Sequence, residues 1–244
     1  MPDFPATSSD DALLQHLFTH GGEMGARIRE FDWSATPIGS FPAWSQSLRL
    51  ALQILLSSKF PMQILWGSDY VQFYNDAYIP IAGENHPTAL GQRGEDCWQE
   101  VWDFAGPLLD GVMATGIATW SEDQLLVLHR NGYPEECYFT FSYTPVWQKP
   151  GLVGGVFIAI QETTQRILSE RRERELRIET QAAREEAERA NQLKDHYLAV
   201  LSHELRSPLN PILGWARLLR SQEFNQVTTG RALETIERNA KLQA

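Results

Sequence analysis

Residues 61–78 read PMQILWGSDYVQFYNDAY. Pro61–Trp66 is a short apolar run closed by Gly67-Ser68-Asp69, and Tyr70–Tyr74 is a second run closed by Asn75-Asp76. Two such runs with turn residues between them predict a β-hairpin. Beyond it, short helical pieces are broken by Gly83, Pro87, Gly91 and Gly94, and a helix is expected over Trp98–Thr115 with an interruption near Gly106-Pro107. Three strand-like runs follow, at Thr119–His129, Glu136–Trp147 and Gly154–Gln161, with Asn131-Gly132 and Lys149-Pro150-Gly151 as turn signals between them. Within the second, Phe139, Phe141 and Tyr143 alternate with Tyr138, Thr140 and Ser142, the pattern of a half-buried antiparallel strand. The order is two strands, several small helices, three strands: an α+β domain.

Working outward toward the N-terminus, residues 1–57 read as a helical cap. Asp11–Phe18 is a short amphipathic stretch, Asp32–Pro42 a loop, and Trp44–Leu56 a helix with apolar residues at Trp44, Leu48, Ala51, Leu52 and Leu55. Toward the C-terminus, Gly and Pro vanish over residues 165–195 and Glu, Arg, Ala and Gln dominate. Leu176, Ala183, Ala190 and Tyr197 recur every seven residues, with Thr180, Ala187, Lys194 and Leu201 offset by four. That is the seam of a weak coiled coil, since small residues and a Lys occupy it. A polar helix standing alone would be marginal, so a paired helix is expected.

The string Leu201-Ser202-His203-Glu204-Leu205-Arg206-Ser207-Pro208-Leu209-Asn210 carries the chemistry. Leu198, Leu201, Leu205, Leu209 and Ile212 fall at helical spacing and predict one buried face. His203 is two residues from Leu201 and Leu205, about 200° around the helix from each, so the ring is expected to point outward. A neutral imidazole is nucleophilic near neutral pH and can attack a phosphoryl group without a strong base. Glu204 can orient the ring or take its proton. Ser207 lies four residues on, on the same face as His203. Pro208 removes the backbone donor to the Glu204 carbonyl, which predicts a bend, and Pro211 repeats the break.

Composition narrows the classes. Net charge is −10 overall, but residues 1–164 carry 7 basic and 19 acidic groups, while residues 165–195 carry 8 of each and residues 196–244 carry 6 basic and 4 acidic. An acidic front half repels phosphate backbones and anionic lipid, so neither nucleic acid nor a membrane surface is an expected partner. Cys97 and Cys137 have no metal-ligand spacing; no metal site is expected, and the thiols read as reduced and cytoplasmic. No signal peptide is read at the N-terminus, and no apolar run is long enough to span a bilayer.

Two resemblances sharpen this reading. The strand order, with WGSDYVQFYNDAY at Trp66–Tyr78 and GGVFIAIQETT at Gly154–Thr164, resembles a PAS sensor domain over residues 58–164. The string LSHELRSPLNPILGWARLL, Leu201–Leu219, resembles the phospho-acceptor motif of the dimerisation and histidine-phosphotransfer domain of sensor histidine kinases. LETIERNAKLQA, Leu233–Ala244, is similar to the start of the second helix of that hairpin, with a connecting loop near Ser221–Thr229. The resemblance implies that His203 accepts phosphate, Glu204 is the adjacent acid or base and Pro208 the kink residue. Ser207 stands where the family most often has Thr or Asn, a position that supports dephosphorylation of the regulator. It implies a coiled-coil linker over residues 165–195 and, over residues 196–244, a hairpin that pairs with a second copy as a four-helix bundle, hence a homodimer. It also implies a response-regulator receiver domain as partner, and ATP and Mg²⁺ as cofactors supplied through a catalytic domain that these residues do not contain, so the chain should be inactive alone.

In the sensor domain, Tyr74, Trp98, Trp102, Trp120, Phe139 and Tyr143 are candidates to line an aromatic pocket of unknown ligand, with ordinary core as the alternative. Neither cysteine sits in the Asn-Cys-Arg context of a flavin-binding light sensor. His86 and His129 are distant candidates for a haem ligand. The competing function is a non-catalytic PAS dimerisation or ligand-binding module whose histidine is vestigial.

Overall fold

The computed structural model describes residues 18–19 and 21–243. These divide into two compact units, one ending at Arg171 and the other beginning at Arg172. Of the expected stretch Asp11–Phe18, only Phe18 is among the described residues.

The first unit is built on a five-stranded antiparallel sheet. Its strands are β1 (Met62–Trp66), β2 (Val71–Tyr74), β3 (Thr119–Leu128), β4 (Glu135–Lys149) and β5 (Leu152–Glu162), ordered β2-β1-β5-β4-β3. The first and last strands are therefore central neighbours, and the segment between β2 and β3 crosses one face as small helices. This is the PAS topology. The hairpin that opens it is tight: Gly67 takes φ +73°, and Tyr70, read as the first residue of the second strand, sits in the turn at φ +50°. Glycines 154 and 155 let β5 run against β1, because a side chain at Gly155 would strike the Leu65 carbonyl and the Trp66 ring.

Helices α1 (Gly22–Glu30), α2 (Gln46–Ser57), α3 (Ile79–Ala82), α4 (Gly94–Cys97) and α5 (Gln99–Thr115) frame the sheet. Helix α2 starts where Ser45 accepts a hydrogen bond from the Leu48 amide, and it buries Leu48, Ala51, Leu52, Leu55 and Leu56. Trp44, read as part of that helix, precedes it and is buried in an aromatic cluster. Trp33 stacks on Phe73 at 4.5 Å and Trp44 meets Trp33 edge-on at 5.3 Å. Residues ahead of β1 thus belong to the same core as the strands.

Helix α5 differs from expectation. It runs unbroken through Gly106-Pro107 and ends at Gly116, whose φ of +68° and amide bond to the Val112 carbonyl close the last turn. The carbonyl that Pro107 leaves without a helical donor belongs to Asp103, and both residues are exposed, so the break in the ladder falls on the solvent side.

The second unit is helical. Helix α6 spans Thr164–Ser221, its first residues belonging to the first unit, and α7 spans Gln226–Lys241. The expected loop near Ser221–Thr229 is shorter, because Asn225 accepts from the Thr228 amide at 2.8 Å and starts α7 at once. The second helix accordingly begins seven residues before Leu233. Helix α6 also continues through Pro208 and Pro211 without a break. Their freed carbonyls, on Glu204 and Ser207, lie on exposed residues.

Candidate functional site: an exposed histidine on a helical hairpin and a lined cavity in the sensor domain

In the second unit, His203, Glu204 and Ser207 are all exposed on α6. Asn225 turns the chain, α7 runs back, and Gln243 Nε2 donates to the Leu205 carbonyl at 2.8 Å, two residues from His203. The hairpin therefore brackets the histidine from Asn225 to Gln243. Within it, Ala232 is fully buried.

The apolar face beside His203 departs from the sequence reading. Leu198, Leu205 and Leu209 are exposed, Leu205 by 52%, and Leu201 and Ile212 are half-buried. One hairpin has too little surface to cover the stripe, which continues through Leu213 and Leu218.

In the first unit a cavity of about 60 Å³ lies between α5 and the sheet. Of the six aromatic candidates the fold brings four to it: Trp98, Trp102, Phe139 and Tyr143. Two lie elsewhere. Tyr74 is buried but bonds through its hydroxyl to His86 Nδ1 at 3.0 Å, away from the cavity lining. Trp120 is 66% exposed. The reason is a bulge between Ser121 and Gln124, which reverses the alternation of β3. Trp120 pairs with Ser142 on the outer face, whereas Leu126 and Leu128, beyond the bulge, line the cavity.

The sequence reading missed the polar end of this cavity. Gln63 and Tyr78 line it, and Gln72, fully buried, stands behind them. Gln72 Oε1 accepts from Gln63 Nε2 at 2.6 Å and from Trp98 Nε1 at 2.8 Å, while the Tyr78 hydroxyl donates to Gln63 Oε1 at 3.3 Å. Burial pushes the Tyr78 and Tyr143 phenols up, so both remain neutral donors. At this volume the cavity has room for a few waters, against roughly 300 Å³ or more for the pocket of a drug-sized ligand. His86 and His129 are not among its lining residues: His86 Nε2 meets Glu23 at 3.0 Å, and His129 is exposed. Cys97 is half-buried, and burial raises its thiol above the ordinary value of 9.0.

Comparison with known proteins agrees with the hairpin. Residues 193–243 match the family model of the His Kinase A (phospho-acceptor) domain. Over 49 residues the chain is 45% identical to the cell-division control histidine kinase PdhS of Brucella anthropi, covering 20% of this chain and 5% of the relative. Over 70 residues it is 44% identical to hybrid signal transduction histidine kinase I of Dictyostelium discoideum, covering 29% of this chain and 4% of the relative. The chain thus spans about a twentieth of the length of these relatives. Among solved structures, a sensory box sensor histidine kinase from Vibrio cholerae aligns at 20% identity and a TM-score of 0.34, covering 47% of this chain and 91% of that one. The PAS domain of Bordetella pertussis BvgS aligns at 17% identity and 0.36, covering 54% and 97%.

The strand order gives the first unit a PAS-type fold, and the helical hairpin of the second contains the segment matched by the phospho-acceptor model. The chain thus joins a PAS-type fold to a segment that matches the phospho-acceptor domain of histidine kinases. Among the described residues, no helix is long and apolar enough to cross a membrane.

Proposed function

We propose that His203 is the residue that carries phosphate, taking the γ-phosphoryl group of ATP and passing it to an aspartate of a receiver domain. The observation that carries this reading is the exposure of His203 on a helix inside the segment that matches the phospho-acceptor model. An imidazole nitrogen attacks phosphorus, the bond to the ADP oxygen breaks, and the ring's other proton is lost to base, a role assigned to Glu204. Mg²⁺ would be supplied with ATP by a catalytic domain, where it would offset phosphate charge, and no residue of this chain is assigned to hold it. Ser207 is assigned the support of dephosphorylation, and Pro208 a local softening of the helix.

The functional division follows from the same reading: residues 1–57 as helical cap, 58–164 as sensor, 165–195 as coiled-coil rod and 196–244 as phospho-acceptor domain. The exposed leucines around His203 support pairing with a second copy, giving a four-helix bundle. The cavity beneath α5 is assigned to signal detection, lined by Trp98, Trp102, Phe139 and Tyr143. A cytoplasmic location belongs to this reading, since ATP and receiver domains are found there.

A phosphorelay experiment tests it. The chain is incubated with radiolabelled ATP, Mg²⁺ and the separately purified catalytic domain of a histidine kinase, then chased with a receiver domain. The expected result is label on the chain that moves to the receiver as base-labile acyl phosphate. Label that stays on the chain, or never reaches it, contradicts the reading.

A further inference from the structure

Asp123 is an aspartate held at φ +49° inside the β3 bulge, a left-handed conformation uncommon among non-glycine residues and best tolerated there by Asp and Asn. Its amide donates to Thr140 Oγ1 at 3.1 Å. Its Oδ1 accepts from Thr163 Oγ1 at 2.7 Å and from Arg166 Nη2 at 2.5 Å. Thr163 is the residue between β5 and α6, and Arg166 lies in the first turn of α6. The bulge therefore aims one carboxylate at the start of the helix. Neighbouring bonds complete the hold: the Tyr138 amide donates to Thr164 Oγ1 at 2.9 Å, and Arg171 Nη2 donates to the Tyr138 hydroxyl at 3.3 Å. The same strand walls the cavity, because Leu126 and Leu128 follow the bulge directly.

We propose that Asp123 is a positioning residue that clasps the first turn of α6, so that movement of β3 at the cavity wall tightens or releases the helix that carries His203. A shift of one residue in this strand moves both ends of the link at once: the leucines that face the cavity and the carboxylate that holds Thr163 and Arg166. Glycine would occupy the conformation more readily, so what Asp123 adds at the bulge is its carboxylate.

That last point supplies the test. In the full chain, Asp123→Gly removes the carboxylate but suits φ +49°, so the sheet stays folded. Hydrogen exchange of the amides of Ile167–Arg171 is expected to quicken about fivefold, with β1 and β5 unchanged. Arg166→Gln is expected to do the same, and the double variant to add less than the two singles combined, because both remove one contact. Arg184→Gln, which breaks an exposed pair with Glu188 further along α6, is the control and leaves these amides alone. Exchange at Ile167–Arg171 that matches the unsubstituted chain in both variants overturns the clasp, as does an equal effect from Arg184→Gln. A second readout rests on the His203 reading: its rate of labelling by a supplied catalytic domain should change by about threefold, in one direction, in Asp123→Gly and Arg166→Gln alike. Unchanged labelling alongside quickened exchange overturns the signalling role. If the unsubstituted chain takes no label at all, the His203 reading fails, while the exchange result still decides the clasp.

Discussion

Asn75 ends the first hairpin, and its side chain joins three elements. Its Nδ2 donates to the carbonyls of Leu55, Ser58 and Phe60 at 3.1, 3.2 and 2.8 Å, and its Oδ1 accepts from the Met62 amide at 3.1 Å. It is almost fully buried, so its loss would strand polar backbone groups away from water. Asn75→Ala should therefore cost about 3 kcal/mol, read as a lowered denaturation midpoint at unchanged slope. A change below roughly 1 kcal/mol would mean that water replaces the side chain. In the sequence Asn75 is legible only as a turn residue, because nothing local reveals that its amide reaches back across α2. Gln63 and Gln72 were hidden for a related reason. Alternation in a hairpin marks a polar residue as solvent-facing, yet these two face each other beneath the small helices, Gln63 Nε2 donating to Gln72 Oε1. The segment that matches the phospho-acceptor model was legible because its signals are local: the histidine, the following acid and the proline all lie within ten residues.

Elements were legible in proportion to how local their causes are. Both turns around β4 announced themselves through Gly and Pro, and α2 through its apolar spacing. The β3 bulge did not, since no local turn signal marks it and the partners that Asp123 meets there, Thr163 and Arg166, lie some forty residues away; the bulge turned Trp120 outward. The start of α7 was signalled by Asn225, a capping residue type, which outweighed the loop expected as far as Thr229. In α6, the pairs Arg184–Glu188 and Arg189–Glu185, at 3.0 and 3.4 Å, each add only about 0.3–0.5 kcal/mol. A helix with Leu176, Tyr197 and Leu205 all more than half exposed needs more than that to persist. Pairing through the leucine stripe is the expected source. The unsubstituted chain should have a native mass about twice its 27.7 kDa, and Leu205→Asp should shift it toward the single-chain value. A native mass that is the same for both would count against the stripe as the dimer contact.

At the scale of the whole molecule, the charge is divided as the functions are. The acidic front half surrounds the aromatic interior of the first unit, and the slightly basic end carries His203, where the proposed function needs an anionic nucleotide to approach. The buried phenols and thiols set the pH response of the first unit. Tyr78, Tyr143 and Cys97 are all raised, chiefly by burial. A raised acid holds its proton more tightly when folded, so its contribution is complete below the ordinary value and is lost as pH climbs above it. Melting temperature should therefore hold steady up to pH 9.0, the ordinary thiol value, and fall above pH 10.0, the ordinary phenol value. A stability maximum above pH 10.0 would mean that these groups ionise without unfolding.

The central claim is that phosphate resides on His203. The most direct measurement compares the chain with His203→Gln after incubation with radiolabelled Mg-ATP and a supplied catalytic domain. The account predicts label that survives base and is lost in acid on the unsubstituted chain, and none on the variant. Label of the same stability on His203→Gln would contradict it.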